Sequence, residues 1–164
     1  RRGITRRALG GAGDQRQRVT ADFCPFGIGD PLAEGPSLGP PVDAQSAAFV
    51  RDQVAAACAG GAKQLVGNAD FDVPDRSDCY LAPQVLTNVD HSMALMHEET
   101  FGPAIGIMRI SNESEGIALM NDSEFGLTAS IWSGDFDRAS RIAEDVEAGT
   151  VFANRCDYLD PALA

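Results

Sequence analysis

Strand-like and helical stretches alternate over the last third of this sequence, and that alternation constrains the fold more than any other feature. Strands are predicted at residues 104–110, 127–132 and 150–154, and helices at residues 113–120 and 135–149. Short links between such elements favour a parallel sheet with helical crossovers. The sequence therefore predicts an α/β protein whose ligands bind at the carboxyl ends of the strands.

The middle of the chain predicts a long helix that begins after Asp43. Asp43 is a typical N-cap residue, the apolar periodicity covers residues 44–59, and Gly60 and Gly61 supply the stop. The apolar face consists of Ala47, Val50, Val54, Ala57 and Cys58. Cys58 is therefore interpreted as a small core residue.

The segments on either side of this helix predict turns and short strands. Gly-Pro dipeptides over residues 35–41 indicate an ordered loop. Residues 64–67 and 80–85 are predicted strands. Pro83 has no backbone N–H to donate, so the second strand is expected at a sheet edge or a bulge.

Length and composition indicate one globular domain. The chain has 164 residues, its hydrophobic content of 44% is that of a folded protein, and no apolar run approaches membrane-spanning length. The net charge of −11 argues against nucleic acid as a partner, because nucleic acid phosphates require a basic surface. We therefore expect neither nucleic acid nor a membrane as a partner.

Residues 1–27 differ from the rest because they are basic and rich in glycine. Residues 1–18 contain six arginines and one acidic residue, Asp14. A basic arm can bind polyanions or membrane surfaces, but we favour a solvated, poorly ordered terminus. The predicted organisation is thus a poorly defined segment at 1–27 and one folded domain at 28–164.

The cysteines predict neither a metal site nor a disulfide framework. They are Cys24, Cys58, Cys79 and Cys156. None forms a Cys-x-x-Cys pair, and only His91 and His97 could add imidazole ligands. Reduced thiols in a cytoplasmic protein are the expected state.

The run His97-Glu98-Glu99-Thr100-Phe101-Gly102-Pro103 is the strongest candidate for chemistry. Two adjacent carboxylates precede an aromatic residue and a Gly-Pro turn, directly before the strand predicted at 104–110. A fixed carboxylate can accept hydrogen bonds from two hydroxyl groups at once. The alternative is a solvated or capping acid beside a turn.

This run resembles the Glu-Glu-x-Phe-Gly-Pro signature of NAD(P)-dependent aldehyde dehydrogenases. The resemblance implies that Glu99 accepts hydrogen bonds from the nicotinamide ribose. It also implies that Phe101 packs against the cofactor beside the nicotinamide. The implied cofactor is NAD or NADP.

Further motifs in the family's order extend the resemblance over residues 28–161. They are Ile28 to Pro31, Gly61-Ala62-Lys63, Pro83, Asn121 to Leu127, and Ala148 to Asn154. The implied fold is α/β, the three-layer catalytic-domain fold of aldehyde dehydrogenases with a largely parallel sheet. Family members line the substrate entrance just after this point, so Asn154 and Cys156 are candidate substrate contacts. Asn154 could instead cap the strand end.

The resemblance implies oxidation of a small-molecule aldehyde to a carboxylic acid. In the family a cysteine thiolate attacks the aldehyde carbon, hydride passes to NAD(P), and a Glu-activated water hydrolyses the thioester. The family's nucleophile would fall at or before residue 1, and its general base further upstream. No catalytic residue is therefore assigned here. We expect the chain alone to be inactive and the full-length form to be a homo-oligomer.

Two other interpretations remain open. The chain could be a non-catalytic remnant or interaction module that retains the fold, which predicts no NAD binding and an exposed apolar surface. An unrelated α/β nucleotide-binding protein is less favoured, because no Gly-x-Gly-x-x-Gly or Walker-type loop follows a predicted strand.

Overall fold

The computed structural model describes residues 27–74 and 78–156. The predicted segment 1–27 lies outside the described residues except for Gly27, as do Cys24 and residues 157–164. The chain divides into two compact units, one containing residues 27–96 and 100–108, the other residues 97–99 and 109–156. Within the described residues, no helix combines the length and apolar character needed to cross a membrane.

The first unit contains a three-stranded sheet and its helices. The elements are α1 (Ala44–Ala59), β1 (Lys63–Val66), a 3₁₀ turn (Asn68–Asp70), β2 (Gln84–Thr87), α2 (Ala94–His97, of which all but the last residue belong to this unit) and β3 (Ala104–Ile107). The sheet order is β1-β2-β3, with β1 antiparallel to β2 and β2 parallel to β3. Before α1, the backbone N–H groups of Ser37 and Leu38 both donate to the Gly27 carbonyl, which confirms the predicted ordered loop.

Helix α1 has the predicted bounds because its ends are specified locally. The Asp43 carboxylate accepts a hydrogen bond from the Ser46 backbone N–H at 2.7 Å, and Gly61 adopts a positive φ of 106° after the helix ends. Two apolar clusters lie under the helix: Ala57, Ala62, Leu86, Val89 and Leu95, and Ala47, Val50 and Leu81.

The core assignment of Cys58 is wrong, because this side chain is exposed. Successive helical residues are rotated by about 100° around the axis. Burial of Ala57 against the sheet therefore turns its neighbour toward solvent. The apolar periodicity alone did not separate these adjacent positions.

The cap of α1 predicts a pH-dependent contribution to stability. The hydrogen bond from the Ser46 N–H holds the pKa of Asp43 below its usual value. A lowered pKa in the folded state stabilises the protein above the unfolded-state pKa, and this contribution is lost as the pH falls below about 4. We expect Asp43→Asn to lower the urea midpoint more at pH 6 than at pH 3. Asp52→Asn, within the same helix, is the control, and an equal pH dependence of both variants would contradict the prediction.

The prediction that Pro83 places its strand at an edge is wrong. Strand β2 begins at Gln84, after the proline, and occupies the centre of its sheet. The missing N–H of Pro83 therefore lies before the ladder, where it costs no hydrogen bond. The irregularity lies in the partner strand, where the register shifts between Gln64 and Val66.

The second unit contains two helices and a two-stranded parallel sheet. The elements are α3 (Glu113–Asn121), β4 (Thr128–Ile131), α4 (Phe136–Glu144) and β5 (Thr150–Ala153). Asn112 caps α3 as predicted by accepting from the Glu115 N–H, while the Glu115 carboxylate accepts from the Ser111 N–H. Ile131, Ala139 and Val146 form the centre of its core.

Helix α4 ends at Glu144, before the predicted stop at Gly149. The Asn121 side chain accounts for the early end. Its Nδ2 donates to the Asp145 carbonyl at 2.8 Å, and its Oδ1 accepts from the Glu147 N–H at 2.9 Å. These bonds engage backbone groups that a longer helix would use itself.

The expectation of one parallel sheet through the last three strands is also wrong for the described residues. Strand β3 pairs with β2, and β4 pairs with β5 in a separate sheet. The parallel character itself is confirmed, since both of these pairs are parallel. The mixed α/β class predicted from the sequence is confirmed.

Candidate functional site

The segment from Glu98 to Pro103 enters strand β3 through a tight turn. The Gly102 N–H donates to the Thr100 carbonyl, and the Ala104 N–H donates to the Gly102 carbonyl, both at 2.8 Å. The Pro103 carbonyl accepts from the Gln84 N–H at 2.7 Å, which joins the turn to the start of β2. We call residues 100–103 the signature turn.

Helix α1 supports the signature turn through two side chains three residues apart. Val50 and Gln53 share a helical face. Gln53 Oε1 accepts a hydrogen bond from Thr100 Oγ1 at 2.8 Å. A Cβ atom added at Gly102 would lie only 2.6 Å from Val50 Cγ2, so glycine is needed for this close approach. The turn is therefore held on one side by a hydrogen bond and by apolar contact.

The residue between these two supports, Phe101, is exposed, and so are the two glutamates that precede Thr100. Glu98 and Glu99 are exposed, and the Phe101 side chain is 84% exposed, whereas Thr100 and Pro103 are half-buried. Thr100 is thus anchored to helix α1 by its hydrogen bond, whereas the next residue, Phe101, is exposed. The first unit thus presents the Phe101 ring to solvent from a backbone that is anchored at the residues on either side of it.

An apolar cavity of about 320 Å³ lies beside the signature turn in the first unit. It is lined by Leu38, Pro83, Gln84, Val85, Gly102, Pro103, Ala104 and Ile105. Its wall includes the carboxyl end of the turn and the start of β3. The cavity contributes apolar surface and no titratable group.

Gln53 is the part of this site that the sequence did not predict. It is 5% exposed, and its Nε2 is buried without a hydrogen-bond partner in the described part of the chain. A buried polar group left unpaired costs about 1–3 kcal/mol. The sequence feature that could have identified Gln53 is its position as a polar residue on an apolar helical face, close to Val50 and Val54.

Asn154 lies at the end of β5 and is engaged with Ser133. Its Oδ1 accepts from the Ser133 N–H and its Nδ2 donates to the Ser133 carbonyl, both at 2.9 Å. Its own N–H donates to the Ile131 carbonyl at 2.8 Å, and its φ of 56° ends the strand. The amide therefore holds the backbone that follows β4.

Cys156 lies two residues after Asn154 and carries an exposed, free thiol. Cys79 is half-buried and free. Over residues 27–74 and 78–156, no group of three or more His, Cys, Asp or Glu side chains is arranged to hold a metal ion.

Solved structures of longer NADP-dependent enzymes contain a similar arrangement of helices and strands. An NADP-dependent enzyme of E. coli superposes with a TM-score of 0.80 and 30% identity, covering 88% of this chain and 29% of that one. An NADP-dependent glyceraldehyde-3-phosphate dehydrogenase from Bacillus halodurans, solved with NADP, gives 0.79 and 32%, covering 92% of this chain and 30% of that one. The fold is that of the aldehyde dehydrogenase catalytic domain.

The sequence matches the aldehyde dehydrogenase family over residues 13–163, and the chain belongs to that family. A succinate-semialdehyde dehydrogenase [NADP(+)] of Deinococcus radiodurans is 36% identical over 137 residues, which are 84% of this chain and 28% of that protein. Human 4-trimethylaminobutyraldehyde dehydrogenase is 37% identical over 131 residues, 77% of this chain and 26% of that protein. The chain thus spans less than a third of the length of these relatives.

Proposed function

We propose that this chain is part of an NAD(P)-dependent aldehyde dehydrogenase that oxidises a small-molecule aldehyde to a carboxylic acid. Its role in that enzyme would be to contact the cofactor through Glu99 and Phe101. The observation that carries this proposal is the signature turn, which fixes its backbone at Thr100 and Gly102 and leaves the flanking carboxylate and ring exposed.

The exposed groups fit a nicotinamide cofactor. When bound, NAD or NADP would supply the hydride acceptor. Glu99 would accept hydrogen bonds from the two ribose hydroxyl groups, because a carboxylate offers two acceptor oxygens and no competing donor. Phe101 would provide an apolar surface beside the nicotinamide. The need for glycine at position 102 adds support, since the turn depends on close packing against Val50.

Asn154 and Cys156 would border the substrate entrance in different ways. The Oδ1 and Nδ2 atoms of the Asn154 side-chain amide both bond to the Ser133 backbone, so its contribution would be to hold that backbone in place. Cys156 has an exposed thiol that could meet the substrate itself. We further propose a cytoplasmic homo-oligomer as the full-length form.

The test begins with the reading frame on either side of these residues. We expect it to encode an upstream nucleophilic cysteine and a nucleotide-binding domain, and we expect the encoded protein to reduce NAD or NADP when an aldehyde is added. Residues 1–164 alone should give no such signal. A frame restricted to this segment, with no cofactor binding, would support the non-catalytic interaction module instead. Aldehyde-dependent NAD(P)H formation by residues 1–164 alone would contradict the proposal that the nucleophile lies upstream of these residues.

A further inference from the structure

The buried face of helix α1 contains one amide among apolar residues. Gln53 lies between Val50 and Ala57, and it is nearly inaccessible to solvent. Only its Oε1 is used, by Thr100, while Nε2 has no partner in the described residues. A methionine of similar length would fill the same space without an unpaired amide. Packing alone therefore does not account for glutamine at this position.

The partner of Gln53 is the residue between the two proposed cofactor contacts. Thr100 lies between Glu99 and Phe101 in the chain. The Phe101 ring is mostly exposed, so its own side-chain contacts do little to fix it. Its direction depends on the backbone to which it is attached, and the Thr100 side chain ties that backbone to α1.

We propose that Gln53 is a positioning residue for the cofactor contact. Its hydrogen bond to Thr100 restricts the backbone of the signature turn, so that Phe101 is held in a binding orientation before the cofactor arrives. Such preorganisation improves affinity because less conformational freedom is lost on binding. This inference rests on the proposed function and adds to it a residue 47 positions away from Thr100.

The first test is a double-mutant cycle in the protein that the uninterrupted reading frame encodes. The variants are Gln53→Met, Thr100→Val and the two combined. We expect each single change to raise the Kd for NAD(P)H and the KM for NAD(P) by roughly 3–10-fold, the range for one hydrogen bond. The double variant should be no worse than either single variant, because the same interaction is already absent.

A purely structural role would give a different result. It predicts a lower thermal midpoint for Gln53→Met, with the cofactor KM unchanged. We expect the midpoint to stay the same or rise, since the unpaired amide is removed. The matched control is Gln45→Met, an exposed glutamine of the same helix, which should leave Kd, KM and kcat unaltered. Additive effects of the two single changes would overturn the proposal.

A second readout needs no cofactor and no activity. Trp132 is the single tryptophan of residues 1–164, so in this polypeptide Trp132→Phe combined with Phe101→Trp places one fluorophore on the signature turn. We expect its anisotropy decay to show a larger amplitude of motion when Gln53→Met is added, and no change with Gln45→Met. An unchanged amplitude in the Gln53 variant would overturn the positioning role.

Failure of this inference and failure of the proposed function give different patterns. If Glu99→Gln and Phe101→Ala raise the cofactor KM but Gln53→Met does not, only the positioning role is overturned. If Glu99→Gln and Phe101→Ala leave the KM unchanged, the proposed cofactor contact fails, and the positioning role fails with it.

Discussion

Replacing Glu99 by glutamine should raise the KM for NAD or NADP by about 10–100-fold, with a smaller change in kcat. Hydrogen bonds to a charged group contribute about 1.5–3 kcal/mol, and 1.4 kcal/mol corresponds to a factor of ten in affinity. A glutamine amide keeps one acceptor oxygen, but its NH₂ group would face a hydroxyl donor. Initial rates at varied cofactor concentration, with fluorescence titration of NAD(P)H, measure the effect in the protein encoded by the full reading frame.

Glu98→Gln is the matched control for this prediction. Both residues are exposed, adjacent and acidic, so the two substitutions change the net charge equally. A general electrostatic effect on the cofactor phosphates would therefore appear in both variants. We expect less than a twofold change for Glu98→Gln, an estimate based on the small contribution of an exposed charge. Equal effects of the two changes would show that Glu99 has no special contact with the ribose.

Local features of the fold could be predicted from the sequence because neighbouring residues determine them. The Asp43 cap fixed the start of α1, and Asn112 fixed the start of α3. In each case the side chain accepts from a backbone N–H three residues ahead, so no distant part of the chain is involved. The signature turn was predictable for the same reason, since its glycine and proline are contiguous with the strand that follows.

Features that depend on distant partners could not be predicted. The end of α4 is set by the Asn121 side chain, which is more than 20 residues away in sequence. This side chain hydrogen-bonds to the Asp145 carbonyl and the Glu147 N–H. The pairing of β3 with β2, in place of β4, likewise depends on tertiary structure. A hydrophobic pattern specifies which side of an element is buried, but it does not identify the partner.

In the candidate site, too, the local features could be predicted from the sequence and the contact between distant residues could not. Glu99 and Phe101 were identified by motif, whereas the support from Gln53 joins positions 47 residues apart. A polar residue on an apolar face signals an unusual environment, yet the sequence does not say which group it meets. The structure supplies that partner, Thr100, and with it a reason for the exposed residues to be held in place.

Leu86→Ala should lower the free energy of unfolding by about 3 kcal/mol, within the usual 2–5 kcal/mol for a fully buried leucine. Leu86 is 0% exposed and lies in the central strand β2. It packs with Ala57, Ala62, Val89 and Leu95. Because two of these neighbours are alanines, which have no side-chain rotamers with which to refill the space, the truncated side chain should leave a cavity. Urea denaturation monitored by circular dichroism measures the change.

Leu32→Ala makes the same chemical change at a site that is 94% exposed in the same unit, and it should alter stability by less than about 0.5 kcal/mol. Strand β2 also supports the signature turn, since the Gln84 N–H bonds to the Pro103 carbonyl. We therefore expect faster hydrogen exchange at the Gln84 amide in Leu86→Ala than in Leu32→Ala. Similar urea midpoints for the two variants would place Leu86 outside the stabilising core. A large loss of stability with unchanged Gln84 exchange would instead show that the turn is held independently of β2.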